Sequence, residues 1–457
     1  MRVVLVLFLL ALTLVPRPAH ALSQDDVTEY SRIVFFGPVA RRDEALEALV
    51  ARGRLDVAPA LVLAIRYRGG DPAIMRSLRA LTGKPFKNWK DAMLWQEARP
   101  DIVPHRSFAA IKVQILTDID PGFRRFLGDG RAARGRLAVR LEEIVWGGAW
   151  ADAIPPLDHP KMIDADDADY LNGDDLVFGV AINGDIRAYP LRILGWHEMM
   201  NDRIGGVAVA LAYCPLCGSG ILYETEVEGF EEPFVFGSSG LLYRSNKLMF
   251  DRQTESLWHH LTGKPVGGPL YPGKVRLKTR PMAIARWSDW RARHPETRVL
   301  ALKTGYTRNY ASGFVYHDYF ASPDLLYPAR AEGDEATKTL NPKSHVFGLQ
   351  TVGAAKAWPL AAFANRSVLN DTFAGKPIVL VGNERGRTVR AYEGGAAAFS
   401  QTGDPTVLRS DGQRWTVTEH ALVGPAGERR PRLPGRVTYW FAWNNHLNFE
   451  SDVFKGD

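Results

Sequence analysis

Val177-Phe178-Gly179-Val180-Ala181-Ile182, Asn183-Gly184 and Ile186-Arg187-Ala188-Tyr189 make up the stretch on which the fold turns. Two apolar runs joined by Asn-Gly read as a β-hairpin, because these residues readily take the two positive-φ positions of a type I′ turn. Pro190 then opens a helix to about Asp202, and Gly205-Gly206 turns the chain. Residues 207–213 follow as a continuous apolar run of the kind that forms a buried strand. The same order returns 169 residues on (346 − 177): Val346-Phe347-Gly348-Leu349, Gly353, Ala357-Trp358-Pro359-Leu360, Asn370-Asp371, Gly375 and Ile378-Val379-Leu380-Val381. Without a gap, residues 177–213 agree with 346–382 at 11 of 37 positions, which predicts an internal duplication. A looser echo relates residues 251–258 and Gly268-Pro269 to residues 411–415 and Gly424-Pro425.

Upstream the period changes. Ala45, Leu46, Leu49 and Val50, then Leu61, Leu63, Ala64 and Ile65, then Ile74, Leu78 and Leu81 recur at three- and four-residue spacing, the signature of amphipathic helices. Gly53, Gly69-Gly70 and Gly83 punctuate them, and Asp71-Pro72 is a helix start with Asp as N-cap and Pro at the first helical position. Short helices at this spacing resemble HEAT-type repeats, which implies packing or partner binding. Gly147-Gly148 through Pro155-Pro156 ends the helical pattern. The expected fold is therefore α+β: an α-helical (HEAT-like) N-terminal region over 22–145, then an internally duplicated β-rich α+β core. Its units are 146–330 and a second, degenerate copy at 335–457.

Residues 1–21 place Arg2 before an apolar run and end in Ala19-His20-Ala21, the small-x-small pattern of a secretory signal peptide cut after Ala21. No later stretch approaches the ~20 apolar residues of a membrane span. The expectation is a periplasmic or secreted protein with no membrane association after signal cleavage. The 57 Lys and Arg exceed the 51 Asp and Glu, and arginines gather at Arg131, Arg134, Arg136 and Arg140 and at Arg429, Arg430 and Arg432. Aromatic residues do not interleave with these clusters, so they read as solvated faces and not as a nucleic-acid footprint.

The only two cysteines stand three apart in Tyr213-Cys214-Pro215-Leu216-Cys217-Gly218, directly after the predicted buried strand. A single pair in an exported chain of 457 residues is no disulfide scaffold, and this marks it as local and functional. Three readings stand beside one another. In the first, the site is a thiol/disulfide redox centre in which Cys214 attacks, Cys217 resolves and His197, with Glu198 beside it, serves as base or imidazolium partner. In the second, Cys214, Cys217, His197, His259 and His260 supply ligands for zinc or copper, the only cofactors the pattern suggests. In the third, the pair closes a structural turn and the two β units form a non-catalytic binding module. Gly218-Ser219-Gly220-Ile221-Leu222-Tyr223 predicts a turn into another strand, not the helix of a thioredoxin-type site. The duplication provides a control: at the offset of 169, Cys214 falls on Asn383, His197 on Arg366 and Glu198 on Ser367, while Pro190, Leu191, Asn201, Asp202 and Gly206 are retained. The first copy is expected to carry the chemistry. Asp251, Arg252 and Tyr243 are candidate substrate contacts, although Asp251 and Arg252, with Glu255, also read as an ion-paired turn.

Arg187-Ala188-Tyr189-Pro190-Leu191, Trp196-His197-Glu198, the cysteine motif, Ser239-Gly240-Leu241-Leu242-Tyr243 and residues 251–258 together resemble DUF3179, a bacterial family of unknown function, over about residues 146–449. Members are similar in the cysteine motif, and some carry selenocysteine or threonine where Cys217 stands. Selenocysteine there implies redox chemistry, whereas threonine departs from a uniform dithiol mechanism. Tyr439-Trp440-Phe441-Ala442-Trp443 also fits the family, while His446-Leu447-Asn448 departs from its usual ending. The resemblance implies no substrate, so the partner is an unidentified small-molecule or protein thiol or disulfide.

Overall fold

The computed structural model describes residues 22–129, 136–329, 340–447 and 452–455; the expected leader at 1–21, Arg131 and Arg134 lie outside the described residues. The chain forms two compact units, one of residues up to Phe86 with Val103–Phe108, the other of Lys87–Ile102 with the chain from Ala109 onward.

The first unit holds the helices Gln24–Phe36, Val39–Ala51, Ala58–Tyr67 and Pro72–Thr82. Ser23 and Asp26 form a capping box at the start of the first, and Asp71 caps the fourth by accepting from the Ala73 N–H at 2.9 Å. Gly83, at φ +68°, ends that helix. Ala45, Leu46, Leu49, Leu61, Leu63, Ala64, Ile65, Ile74 and Leu78 are buried, as their periodicity predicts.

Residues 22–145 do not close as one unit, because buried polar groups tie the later helices to the chain that enters the β-rich region. Gln96 donates to the Glu142 carbonyl at 3.1 Å. Lys112, buried on Ser107–Ile119, donates to the Leu141 and Glu142 carbonyls at 2.7 and 3.2 Å. A buried ammonium without such acceptors would cost several kcal/mol, so these ties fix the helices to the second unit.

The duplication is exact at the level of strand bounds. Leu176–Ile182, Asp185–Pro190, Met199–Ile204, Val207–Cys214 and Ser219–Glu224 map, on adding 169, to His345–Thr351, Ala354–Pro359, Val368–Phe373, Lys376–Asn383 and Thr388–Glu393. Register is kept as well: Gly179 faces Ala188, and Gly348 faces Ala357. The repeat then continues at an offset of 153 (436 − 283). Ala283–Arg286 lies antiparallel to Leu176–Ile182 and leads into Trp287–Arg293; Arg436–Tyr439 lies antiparallel to His345–Thr351 and leads into Trp440–His446. Each copy closes with a short parallel strand, Arg298–Leu300 on Asp185–Pro190 and Asp452–Val453 on Ala354–Pro359.

The residues retained between the copies explain why both fold alike. A Cβ on Gly179 would lie 2.3 Å from the Trp290 ring, and one on Gly348 2.0 Å from Trp443, so each hairpin needs glycine for its helix to seat. Asn201 clamps the backbone of Phe236 by giving and accepting one hydrogen bond, and Asn370 does the same to Phe399. Asp202 accepts from Arg187 and Tyr189, while Asp371 accepts from Lys356 and Trp358. Phe178, Tyr189 and Leu211 share one hydrophobic core with Phe347, Trp358 and Leu380, so the two copies belong to one packed body.

Candidate functional site

Cys214 ends the strand Val207–Cys214; Pro215–Cys217 is a single 3-10 turn, and Gly218, at φ +58°, turns the chain into Ser219–Glu224. Proline's fixed φ and glycine's left-handed conformation produce a tight reversal that brings the two side chains together. Both cysteines are free thiols, their Sγ atoms 2.7 Å apart and only 1% and 0% exposed. The predicted turn into a strand is present.

A second hairpin presses against this turn. Phe236–Tyr243 and Asn246–Asp251 are joined by Arg244 and Ser245, at φ +46° and +61°. Two successive non-glycine residues in the left-handed region cost roughly 1 kcal/mol each, a strain the surrounding structure must hold. It sets Asn246 against Cys217: Nδ2 donates to Sγ at 2.9 Å and lies 3.3 Å from His260 Nδ1. His260 Nε2 faces the Ala212 carbonyl at 3.0 Å and must donate to it, so Nδ1 carries no proton and accepts from Asn246. Both amide hydrogens of Asn246 are thereby used, and its Oδ1 is left buried without a partner, as are Ser245 Oγ and Ser219 Oγ. Unpartnered buried polar atoms are uncommon, and three around one dithiol mark a functional pocket. Burial and the neighbouring Cys214 push the Cys217 thiol well above the ordinary range, so Cys217 stays protonated at neutral pH.

On the other side of the turn, Glu198 holds a left-handed conformation (φ +55°) at the end of the helix Leu191–His197. Its carbonyl accepts from Lys247 Nζ at 2.8 Å, and its carboxylate lies 3.5 Å from the same ammonium and accepts from Tyr316 at 2.7 Å. Lys247 also donates to the Ser238 hydroxyl at 3.1 Å and lies 3.4 Å from the carbonyl of Tyr213, the residue before Cys214. Burial lowers the Lys247 pKa, while Glu198 and then Cys214 oppose that shift electrostatically. Lys247 thus stands, paired with Glu198, at the strand end that carries Cys214.

His197 points elsewhere. Its Nδ1 donates to the Pro155 carbonyl at 2.8 Å and its Nε2 accepts from Tyr310 at 2.6 Å, so both nitrogens are occupied away from the cysteines. Burial lowers its pKa. His259 accepts from the Leu261 N–H at Nδ1 and donates from Nε2 to His446, 3.1 Å away, which donates in turn to the Arg244 carbonyl. The expected zinc or copper shell of Cys214, Cys217, His197, His259 and His260 does not assemble: among the described residues no group of three His, Cys, Asp or Glu is placed to hold a metal. Asp251 is fully buried and accepts from Thr254 and Trp258, which makes it the hub of a turn. Arg252 pairs with Asp152 at 3.0 Å, and the Tyr243 ring packs on His259 and His446. These three residues support the second hairpin.

Tyr310, Tyr316 and Tyr319 come from the segment after the first copy and bond to His197, Glu198 and the Leu216 carbonyl, the last at 2.6 Å. Trp196 donates to the Asn309 carbonyl at 2.8 Å in the same segment. Residues 302–329 thus cover the cysteine turn, and Tyr439 of the second copy lies over Gly218. Sequence reasoning passed over Asn246, Lys247, Tyr316 and Tyr319. One signal was present: Asn246 and Lys247 come directly before the apolar Leu248-Met249-Phe250 in one strand, and a lysine there has to be buried or the strand exposed.

A family model described as Protein of unknown function (DUF3179) matches residues 151–450, more than half of the chain. No curated protein and no solved structure matches it. Among the described residues no helix is long and apolar enough to cross a membrane.

Proposed function

The chain belongs to the DUF3179 family, and from the site it carries we propose that it is an exported thiol–disulfide oxidoreductase working through Cys214 and Cys217. The observation behind this reading is the pair of free thiols 2.7 Å apart in a strained pocket that also contains a buried lysine. Cys214, as thiolate, attacks a substrate disulfide; one sulfur of that disulfide leaves as thiolate and the other becomes bound to Cys214. Cys217 then gives its proton to the departing thiolate and attacks Cys214 Sγ, which releases the second substrate thiolate. The substrate gains two electrons and the protein ends with a Cys214–Cys217 disulfide. Cys217, kept protonated by burial, is suited to the second step. Export, read from residues 1–21, supplies a compartment in which disulfides are common.

Replacing Cys217 by Ser removes the resolving thiol. Incubated with oxidised glutathione, this variant is expected to accumulate a mixed disulfide at Cys214, seen as a glutathione adduct by mass spectrometry, while wild type shows an internal disulfide. A variant that takes up no glutathione on unfolding-free incubation, beside a wild type that stays a dithiol, would sink the proposal.

A further inference from the structure

The second copy retains the place of the cysteine site but fills it with different chemistry. At the offset of 169, Cys214, Cys217 and Glu198 correspond to Asn383, Gly386 and Ser367. In the first copy this place is closed over by Lys247 and the tyrosine segment. In the second it is a cavity of about 370 Å³ lined by Asn383, Ser367, Thr388, Gln401, Asp289 and Arg293, among others. We propose that this cavity is a binding site for a small zwitterion of the amino-acid type.

Hydrogen-bond accounting sets the polarity of the walls. The Gly386 N–H donates to Asn383 Oδ1 at 2.8 Å, and the Ser367 N–H and hydroxyl donate to Gln401 Oε1 at 3.1 and 2.9 Å. These obligate donors fix both amide orientations, so Asn383 Nδ2 and Gln401 Nε2 are left as donors without a partner among the described residues. Arg293 is held on the Val417 and Pro405 carbonyls at 2.8 and 3.4 Å, which keeps its charge on the cavity wall. Such a set of donors suits a carboxylate. Arg390, also on the wall, is already committed to Glu419.

The lining also carries negative charge. Asp404 spends one oxygen on the Thr406 N–H and hydroxyl, but Asp289 on Trp287–Arg293 has no hydrogen bond or ion pair among the described residues. A Cβ at Gly386 would lie 3.5 Å from Asn383 Oδ1 and 3.7 Å from Asp289 Oδ2, so the free carboxylate and the amide border one gap. The lining thus carries both signs, Arg293 with the amide donors and Asp289 with Asp404. A ligand with an ammonium beside its carboxylate satisfies both walls, and the volume accommodates any single amino acid.

Isothermal titration of the full exported chain with each common L-amino acid, and with propionate and propylamine as the separate halves, tests the assignment. At least one amino acid is expected to bind at least tenfold more tightly than either half. Asn383→Asp with Gln401→Glu, which turns the amide donors into carboxylates, should weaken binding at least tenfold; Asp289→Asn should abolish the preference for the amino acid over propionate. These positions are solvent-exposed, so circular dichroism and Cys214 alkylation should match wild type. No binding by any amino acid at about 10 mM, or binding that both variants leave unchanged, would overturn the assignment.

Discussion

Lys247 stands at the strand end that carries Cys214, 3.4 Å from the Tyr213 carbonyl. An ammonium buried there with Glu198 attracts the negative charge of a reacting sulfur, and one charge-assisted contact is worth about 1.5 kcal/mol. Lys247→Met alone would strand the Glu198 carboxylate, so the informative variant is Lys247→Met with Glu198→Gln, which removes the buried pair whole. At neutral pH its Cys214 is expected to react with iodoacetamide about tenfold more slowly than in wild type. An unchanged rate would mean that the lysine is structural. The cysteine pair and its turn were legible in the sequence because Pro215 and Gly218 leave little conformational choice. The place of His197 does not follow from the duplicate: it is lost there together with Cys214, yet its two nitrogens bond to Pro155 and Tyr310 and not to a cysteine. The Tyr310 that occupies His197 is 113 residues away in sequence, and no local pattern announces such a pairing.

Among the elements, the segment 302–329 is bonded over the cysteine turn by Tyr316 and Tyr319. It contains one short helix, His317–Ala321, and its polar anchors to the cysteine turn are tyrosine hydroxyls. Each such hydrogen bond contributes about 1 kcal/mol net. Tyr316→Phe combined with Tyr319→Phe should therefore raise the opening equilibrium, and with it Cys214 alkylation, roughly tenfold or more. Equal rates in the variant and wild type would place the entry route elsewhere. This cover was not predicted, because irregular chain has no periodicity to read. The strands were legible in part: the Asn-Gly hairpin, the apolar run and the turn after Cys217 gave four of the five strands of the first copy, whereas the helix expected to reach Asp202 stops at His197 and Met199–Ile204 is a strand. The final strand and helix of each copy escaped notice because the offset falls from 169 to 153, and an ungapped comparison cannot cross that change.

The second unit as a whole depends on histidines that stay neutral. His259 is lowered to about 4 and His446 well below its ordinary value, in both cases chiefly by burial, and their hydrogen-bond relay to the Arg244 carbonyl uses the neutral tautomers. In the unfolded chain they take up protons below about pH 6.5, while the folded protein does not until about pH 4 for His259. Their stabilisation is thus present above pH 6.5 and lost as pH falls toward 4. The difference of about 2.5 units at His259 alone is on the order of 3 kcal/mol. Urea unfolding followed from about pH 7 to about pH 4.5 should show that loss, and replacing His259 by Gln should flatten it. A flat wild-type profile would contradict the buried relay.

Dithiol–disulfide cycling at Cys214 and Cys217 is most directly tested by equilibrating the folded protein in graded mixtures of reduced and oxidised dithiothreitol, then counting alkylated thiols by mass spectrometry. The account predicts one two-electron transition in which both cysteines leave the alkylated pool together and return on reduction. Two thiols that remain alkylatable at every ratio, or that are lost one at a time, would contradict it.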